Sequence, residues 1–256
     1  MSIKRKAWIN VIMLLITFGV NFLGASGFIN GMSQADVSDK YNTLITPAGF
    51  TFSIWSIIYT LLLVSLILMA IKSNQSYYKK TVELISVDIW LSLIFNMLWI
   101  VSFSFEWVGI STIFIFIYLY FLTRILMKIK TVNQDGQWLI PVSFGLNAGW
   151  LFIASVVNVA AFLTQIEWSG FGISDNIWTG IIIVVATALA YIVGEKIDNA
   201  AFTLPIAWAF WGIFSALQDK NVSTILLGLS IIANVVMILT AVKIFMQNNN
   251  AVFPKN

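Results

Sequence analysis

The stretch ITPAGFTFSIWSIIY, residues 45–59, carries a Pro-Ala-Gly turn straight into an apolar run that holds Phe52, Trp55 and Tyr59. These three stand at i, i+3 and i+7 and so share one face of a helix. The surroundings fix what kind of helix it is. Of 256 residues, 59% are hydrophobic and only 10% are charged, where a soluble domain carries about 25% charged residues. The chain therefore reads as an integral membrane protein. Leu, Ile and Val alone make a helix soluble in lipid, so a row of rings on one side calls for a second explanation.

A membrane-crossing helix needs roughly 20 apolar residues. Eight segments qualify, at about 7–26, 48–71, 85–105, 107–127, 138–163, 176–194, 200–217 and 222–245. Water is absent from the bilayer core, so each must satisfy its backbone internally as a helix. The fold class expected is an all-α polytopic bundle with short loops, except for a longer connection at 27–46 after the first span. The first span also has features of a signal peptide, with the basic start KRK and the small residues GASG, but its apolar run is long for one and its removal would leave seven spans.

Orientation follows from the cations. With the N-terminus cytoplasmic, Lys4, Arg5, Lys6, Lys72, Lys79, Lys80, Arg124, Lys128, Lys130, Lys196, Lys243 and Lys255 fall inside, and only Lys40 and Lys220 fall outside. That asymmetry places both termini in the cytoplasm. The acids Asp36, Asp39, Glu106, Glu167, Asp175 and Asp219 fall in outer loops. The chain has neither Cys nor His. This removes disulfides, thiolate sites, the commonest metal ligand and the usual general base. No metal site, cofactor or nucleic-acid partner is expected. No Ser-His pair, facing carboxylate pair or phosphate-cradling glycine motif is present. GFINGMSQ, in the long outer loop, reads as a flexible cap.

Trp8, Trp107, Trp138, Trp168 and Trp178 lie near span ends, as an interfacial aromatic belt does. Trp55, Trp90, Trp99, Trp150, Trp208 and Trp211 lie within spans. In the third span, NMLWIVSF puts Asn96, Trp99 and Phe103 at i, i+3 and i+7. In the fifth, WLFIASVVN puts Trp150, Ala154 and Asn158 at i, i+4 and i+8. At about 1.5 Å of rise per residue, these stripes fall at similar depths in the outer half of the bundle. Packing between helices accounts for any one of them. Together, rings with polar handles at one level suit the wall of an apolar pocket. Asp88 is the one acid within a span, a functional candidate unless it snorkels or pairs with Lys79 or Lys80. Asn21, Asn147 and Asn234 read as hydrogen-bonding glue between helices.

PAGFTFSIWSIIY, NMLWIVSF and WLFIASVVN, in that order, resemble the three signature segments of the TspO/MBR family, the tryptophan-rich sensory proteins related to the mitochondrial translocator protein. Pro47, Trp55 and Tyr59 match the first, Asn96, Trp99 and Phe103 the second, and Trp150, Ala154 and Asn158 the third. Two places depart from the pattern: Gly145-Leu146 replaces a Pro-Tyr pair, with Pro141 a turn earlier, and the Gly and Phe after Pro47 are displaced by one position. The resemblance covers residues 1–163 and implies a five-helix bundle whose cavity is capped by the loop after the first helix. Residues 164–256 form a three-helix extension with their own LPIAWAFWGIF.

The resemblance further implies a receptor or carrier for a porphyrin, another tetrapyrrole or a sterol-like lipid. The implied ligand-binding residues are Pro47, Phe52, Trp55, Tyr59, Asn96, Trp99, Phe103, Trp150, Ala154 and Asn158. Light-dependent porphyrin breakdown is attributed to some members. The alternatives are a small-solute membrane transporter using all eight helices, or a light-dependent porphyrin-degrading enzyme. Membrane lipid is the expected environment, a bacterial-type plasma membrane the expected location, and a homodimer is compatible with the exposed faces. Lacking His and Cys, the chain has none of the usual strong axial ligands for a haem iron, so a macrocycle would be held by stacking and edge contacts.

Overall fold

The structure, a computed structural model, describes residues 1–218, 220 and 222–255; Asp219, assigned above to an outer loop, lies outside them. Among the described residues the chain is helical. Eight helices or helix-plus-turn segments are long and apolar enough to cross a membrane. The chain is thus an integral, multi-pass membrane protein.

The helices are α1 (Ile3–Ala25), α2 (Gln34–Lys40), α3 (Ile54–Ile71), α4 (Ser76–Ser104), α5 (Val108–Lys130), α6 (Leu139–Gln165), α7 (Asp175–Ile197), α8 (Ala200–Gln218) and α9 (Thr224–Gln247). A short 3-10 turn, Gly49–Ser53, leads into α3. Two of these differ from the reading of the sequence. The first is α4, which starts at Ser76 rather than near 85. Tyr77, Tyr78, Thr81 and Val82 continue its buried face there, while Lys79, Lys80 and Glu83 stay on the exposed one. The second is the outer loop, which is not wholly a flexible cap. Ser33 and Asp36 form a reciprocal capping box that starts the short helix α2.

Five helices close a ring. Going round it, α3 touches α1, α1 touches α4, α4 touches α5, α5 touches α6, and α6 returns to α3. The first helix is a full member of this ring and buries Ala7, Val11 and Leu14 in it. The last three helices stack outside: α8 on α6, α9 on α8, and α7 on α9. Glycine decides how closely α8 can approach. A Cβ on Gly149 of α6 would collide with the backbone carbonyl of Phe202 in α8.

Polar side chains stitch the ring, one from each of its helices. Tyr59 (α3) donates to Asn21 Oδ1 at 3.0 Å, and Asn21 (α1) donates to Asn96 Oδ1 (α4) at 3.0 Å. Asn147 Nδ2 (α6) donates to the Tyr118 hydroxyl (α5) at 3.0 Å. Such bonds contribute about 0.6–2 kcal/mol each in a bilayer. Nearer the termini, Trp90 Nε1 donates to Asn10 Oδ1 at 2.7 Å and ties α4 to α1. In the outer stack, Asn234 Nδ2 donates to the carbonyl of Ala207 at 2.7 Å and ties α9 to α8.

Asp88 is fixed differently from the expectation of Lys79 or Lys80 as its partner. Its buried carboxylate faces α5, with Lys128 Nζ at 2.6 Å and Arg124 Nη2 at 3.3 Å. Arg124 and Lys128 are four apart on one face of α5 and reach across together. Lys79 and Lys80 lie more than two turns away along the helix that carries Asp88 itself. Asp88 is therefore a cross-helix tie.

Candidate functional site

A cavity of about 740 Å³ opens at the end of the ring that carries α2. Its walls come from α1, α3, α4 and α6, with α2 and residues 41–49 over the top. Of the residues singled out in the sequence, Pro47, Phe52, Trp55, Tyr59, Trp99, Phe103, Trp150, Ala154 and Asn158 line it. Asn96 does not. It is fully buried behind the wall, where it accepts from Asn21.

The three indoles converge. Trp55 lies with its ring centre 6.3 Å from that of Trp99 and 6.1 Å from that of Trp150, edge-on to the latter. Tyr59 stacks on Trp55 at 4.9 Å, and Phe52 meets Trp150 edge-on at 5.9 Å. These distances are those of favourable aromatic pairs. The i, i+3, i+7 spacing on α3 makes one continuous aromatic wall from Phe52 to Tyr59.

The polar handles are held as well. Trp99 Nε1 donates to Asn158 Oδ1 at 3.0 Å. Asn158 Nδ2 in turn donates to Thr112 Oγ1 at 2.7 Å and to Ser111 Oγ at 3.1 Å, both on α5. Asn158 thus locks the indole of α4 against α5 and α6. Trp150 is 2% exposed, and its Nε1 finds no acceptor among the described residues.

The wall has members that the sequence reading did not place there, among them Asn21, which was read only as glue between helices and does bond Tyr59 and Asn96. Phe18, Asn21, Phe22 and Ala25 of α1 face the cavity, and their spacing of i, i+3, i+4 and i+7 is a helix face that could have been read. Ile153, Val157 and Ala161 extend the stripe of α6 in the same way. Gln34, Ala35, Ser38, Asp39 and Tyr41 come from the capping helix, whose capping box was the overlooked signal. The most exposed lining residues are Phe22, Ala25, Ala35, Asp39, Gly49, Phe52 and Ser56, so the mouth lies between α1, α2 and the start of α3.

The lid is latched at its far side. Lys40 Nζ lies 2.5 Å from Glu106 Oε2, the Tyr41 hydroxyl donates to the same oxygen at 2.7 Å, and Gln165 Nε2 donates to the Glu106 carbonyl at 2.6 Å. The hydrogen bond from Lys40 holds the Glu106 carboxyl below its usual range, with Tyr41 adding to it. The same bond holds Lys40 above the ordinary lysine value.

The extension supports the site from outside. Only Ala209 of α8 reaches the cavity. Trp208 Nε1 donates to the Thr51 carbonyl at 2.9 Å, and Ala48 N donates to the Gly212 carbonyl at 3.0 Å. Helix α8 therefore buttresses the corner that turns Pro47 into the aromatic wall. Trp211, by contrast, is 47% exposed on the outer face of α8.

Neither the curated proteins nor the solved structures contain a match to this chain. A protein-family model described as TSPO-like protein does match, and it spans residues 7–246, taking in the ring, the lid and the outer three helices together. With three signature stripes meeting around one capped cavity, the chain belongs to the TSPO-like branch of the TspO/MBR family.

Proposed function

We propose that the protein is a membrane receptor or carrier that holds a flat hydrophobic molecule, of the porphyrin or sterol-like class, in this cavity. The observation that carries the reading is the meeting of Trp55, Trp99 and Trp150, from three helices, around a void of about 740 Å³. Ligand pockets are typically about 300–1,000 Å³, mainly apolar, with few polar contacts. The cations favour an orientation with both termini cytoplasmic and the lid on the outer side of a bacterial-type plasma membrane. In this reading, residues 1–163 hold the ligand and residues 164–256 brace them. A homodimer is compatible with it.

The test is a binding screen of the detergent-solubilised protein with protoporphyrin, a sterol and an inert dye, followed by absorbance over time in light and dark. A receptor binds the ring or sterol saturably, ignores the dye and leaves the spectrum unchanged in the light. Turnover to a distinct product would mark an enzyme instead, and ligand flux across sealed vesicles a transporter. No saturable binding of any flat apolar ligand would overturn the proposal.

A further inference from the structure

A second hollow, a groove of about 350 Å³, lies between α4 and α5 toward the end of the bundle opposite the lid. Leu84 of α4 and Tyr120 and Met127 of α5 give it apolar sides, and Arg124 and Lys128 give it charge. Tyr120 and Met127 are exposed, so the groove faces outward, where the lipid is. At about 1.5 Å of rise per residue, Lys128 lies about 3 Å, Arg124 about 9 Å and Tyr120 about 15 Å from the last residue of α5. The groove is therefore cationic toward the membrane surface and apolar toward the hydrocarbon. Its charge is not balanced. Elsewhere at this end each ion pair matches one cation to one acid: Lys130 with Asp198, Lys243 with Glu195 and Lys255 with Asp135. Arg124 and Lys128 share the single carboxylate of Asp88. Lys128 is occupied there and on the Leu84 carbonyl, to which its Nζ donates at 3.1 Å. Arg124 is not fully occupied. A guanidinium has five N–H donors, yet only its Nη2 approaches Asp88, at 3.3 Å. The others find no acceptor among the described residues. The Tyr120 and Phe121 rings, 5.6 Å and 5.8 Å from its central carbon, flank it. Glu83, the other acid of α4 at this end, is exposed and does not line the groove.

We infer that this groove is a binding site for an anionic phospholipid, whose phosphate meets Arg124 and Lys128 and whose acyl chain lies along Leu84, Met127 and Tyr120. The surplus cation needs an anion, and the anion available at this depth in a bilayer is a lipid phosphate. Arginine suits it, because the planar guanidinium offers a phosphate two parallel hydrogen bonds. Basic pockets between membrane helices hold anionic head groups in this way. A zwitterionic lipid carries its own cation and gains less from the same site. Lys80, exposed on α4 four residues before Leu84 and so on its face, adds attraction toward the membrane surface. The proposed orientation makes this the cytoplasmic leaflet. The site is otherwise independent of what the aromatic cavity holds.

The experiment is native mass spectrometry of the full-length protein, released from detergent after titration with phosphatidylglycerol or with phosphatidylcholine of the same acyl chains. The readout is the ratio of the two dissociation constants for the first lipid retained, because a change in fold moves both together. Phosphatidylglycerol is expected to bind tighter by about fivefold or more. Arg124→Gln should bring the ratio close to one. Lys196→Gln, which removes an exposed cation of α7 at the same end, should leave it as in the wild type. Met127→Trp fills the groove without touching its charges and should weaken both lipids. Asp88→Asn separates binding from stability: it removes the tie between α4 and α5 but frees both cations, and should widen the ratio. Equal affinity for the two head groups, or a ratio that Lys196→Gln narrows as much as Arg124→Gln does, overturns the inference. So does lipid retention that neither Arg124→Gln nor Met127→Trp alters. None of these outcomes bears on the aromatic cavity or on the orientation of the chain.

Discussion

At the residue scale, the stripes on α3, α4 and α6 could be read because a 3.6-residue period fixes which side chains share a face. Trp55, Trp99 and Trp150 needed nothing beyond that to be placed on inward faces. Asn96 shows where the rule stops. It shares a broad face with Trp99, yet its amide meets Asn21 of α1 rather than the cavity. The partner of a polar group depends on the neighbouring helix, which spacing within one helix does not encode. Asp88 makes the same point, since Arg124 and Lys128 lie about forty residues on. Asp88→Asn leaves those two cations facing each other without their carboxylate. Removing one partner of a fully buried pair costs about 3–5 kcal/mol. Here the cations are 43% and 31% exposed and can snorkel, so a loss of about 1–3 kcal/mol is expected. Thermal unfolding in detergent measures it, and an unchanged midpoint would mean that the tie contributes nothing.

The latch gives a pH dependence whose sign follows from its two groups. Glu106 is lowered in the folded state, so its contribution is present above the ordinary carboxyl value of 4.5 and is lost as pH falls through the folded value. Lys40 is raised, so its contribution is complete below 10.5 and is lost as pH rises through the folded value. The lid should be held most firmly between these limits. Amide exchange of residues 33–41, corrected for its intrinsic pH dependence, is expected to quicken in the native protein as pH falls through the lowered Glu106 value. In Glu106→Gln it should be faster already at neutral pH, with only the acid dependence that the Asp36 capping box contributes left.

At the scale of elements, all eight membrane helices could be read from hydropathy and length, because a continuous apolar run of that length satisfies its backbone in lipid as a helix. The lid helix could not be read that way. Its seven residues bury only Val37, too little for a hydrophobic period, and its signal was the cap at Ser33 and Asp36. Nor did sequence reveal what α8 does. Its role rests on glycines whose missing Cβ is visible only against the partner. Gly149 admits the Phe202 backbone, and Gly212 admits Thr51, with a Cβ on either colliding. Gly149→Ala pushes against backbone, which cannot swing aside, and should destabilise the protein by about 1–3 kcal/mol or more. Gly212→Ala should loosen the Pro47 corner and weaken ligand binding, whereas Gly228→Ala, with open space around it, should change neither. Melting curves and titrations of the three variants, run side by side, decide this. Equal behaviour of all three would refute the bracing role of α8.

At the scale of the whole molecule, a five-helix ring holds an aromatic cavity under a latched lid, and three further helices are stacked on one of its sides. The three signature segments lie on α3, α4 and α6, all of the ring, and none lies on the stack. How the stack sits against them could not be read, because its contacts with α6 and the Pro47 corner join residues about 50 to 160 positions apart. The family match runs across residues 7–246 and so takes in the stack as well as the ring. The central claim is that the converging indoles form a binding wall. It is tested most directly by the dissociation constant of protoporphyrin IX, from quenching titrations of the wild type, Trp55→Ala and Trp211→Ala. Loss of stacking at Trp55 should weaken binding by about 1–3 kcal/mol, while Trp211→Ala, on the outer face of α8, should match the wild type. Equal affinities for all three proteins would contradict the account.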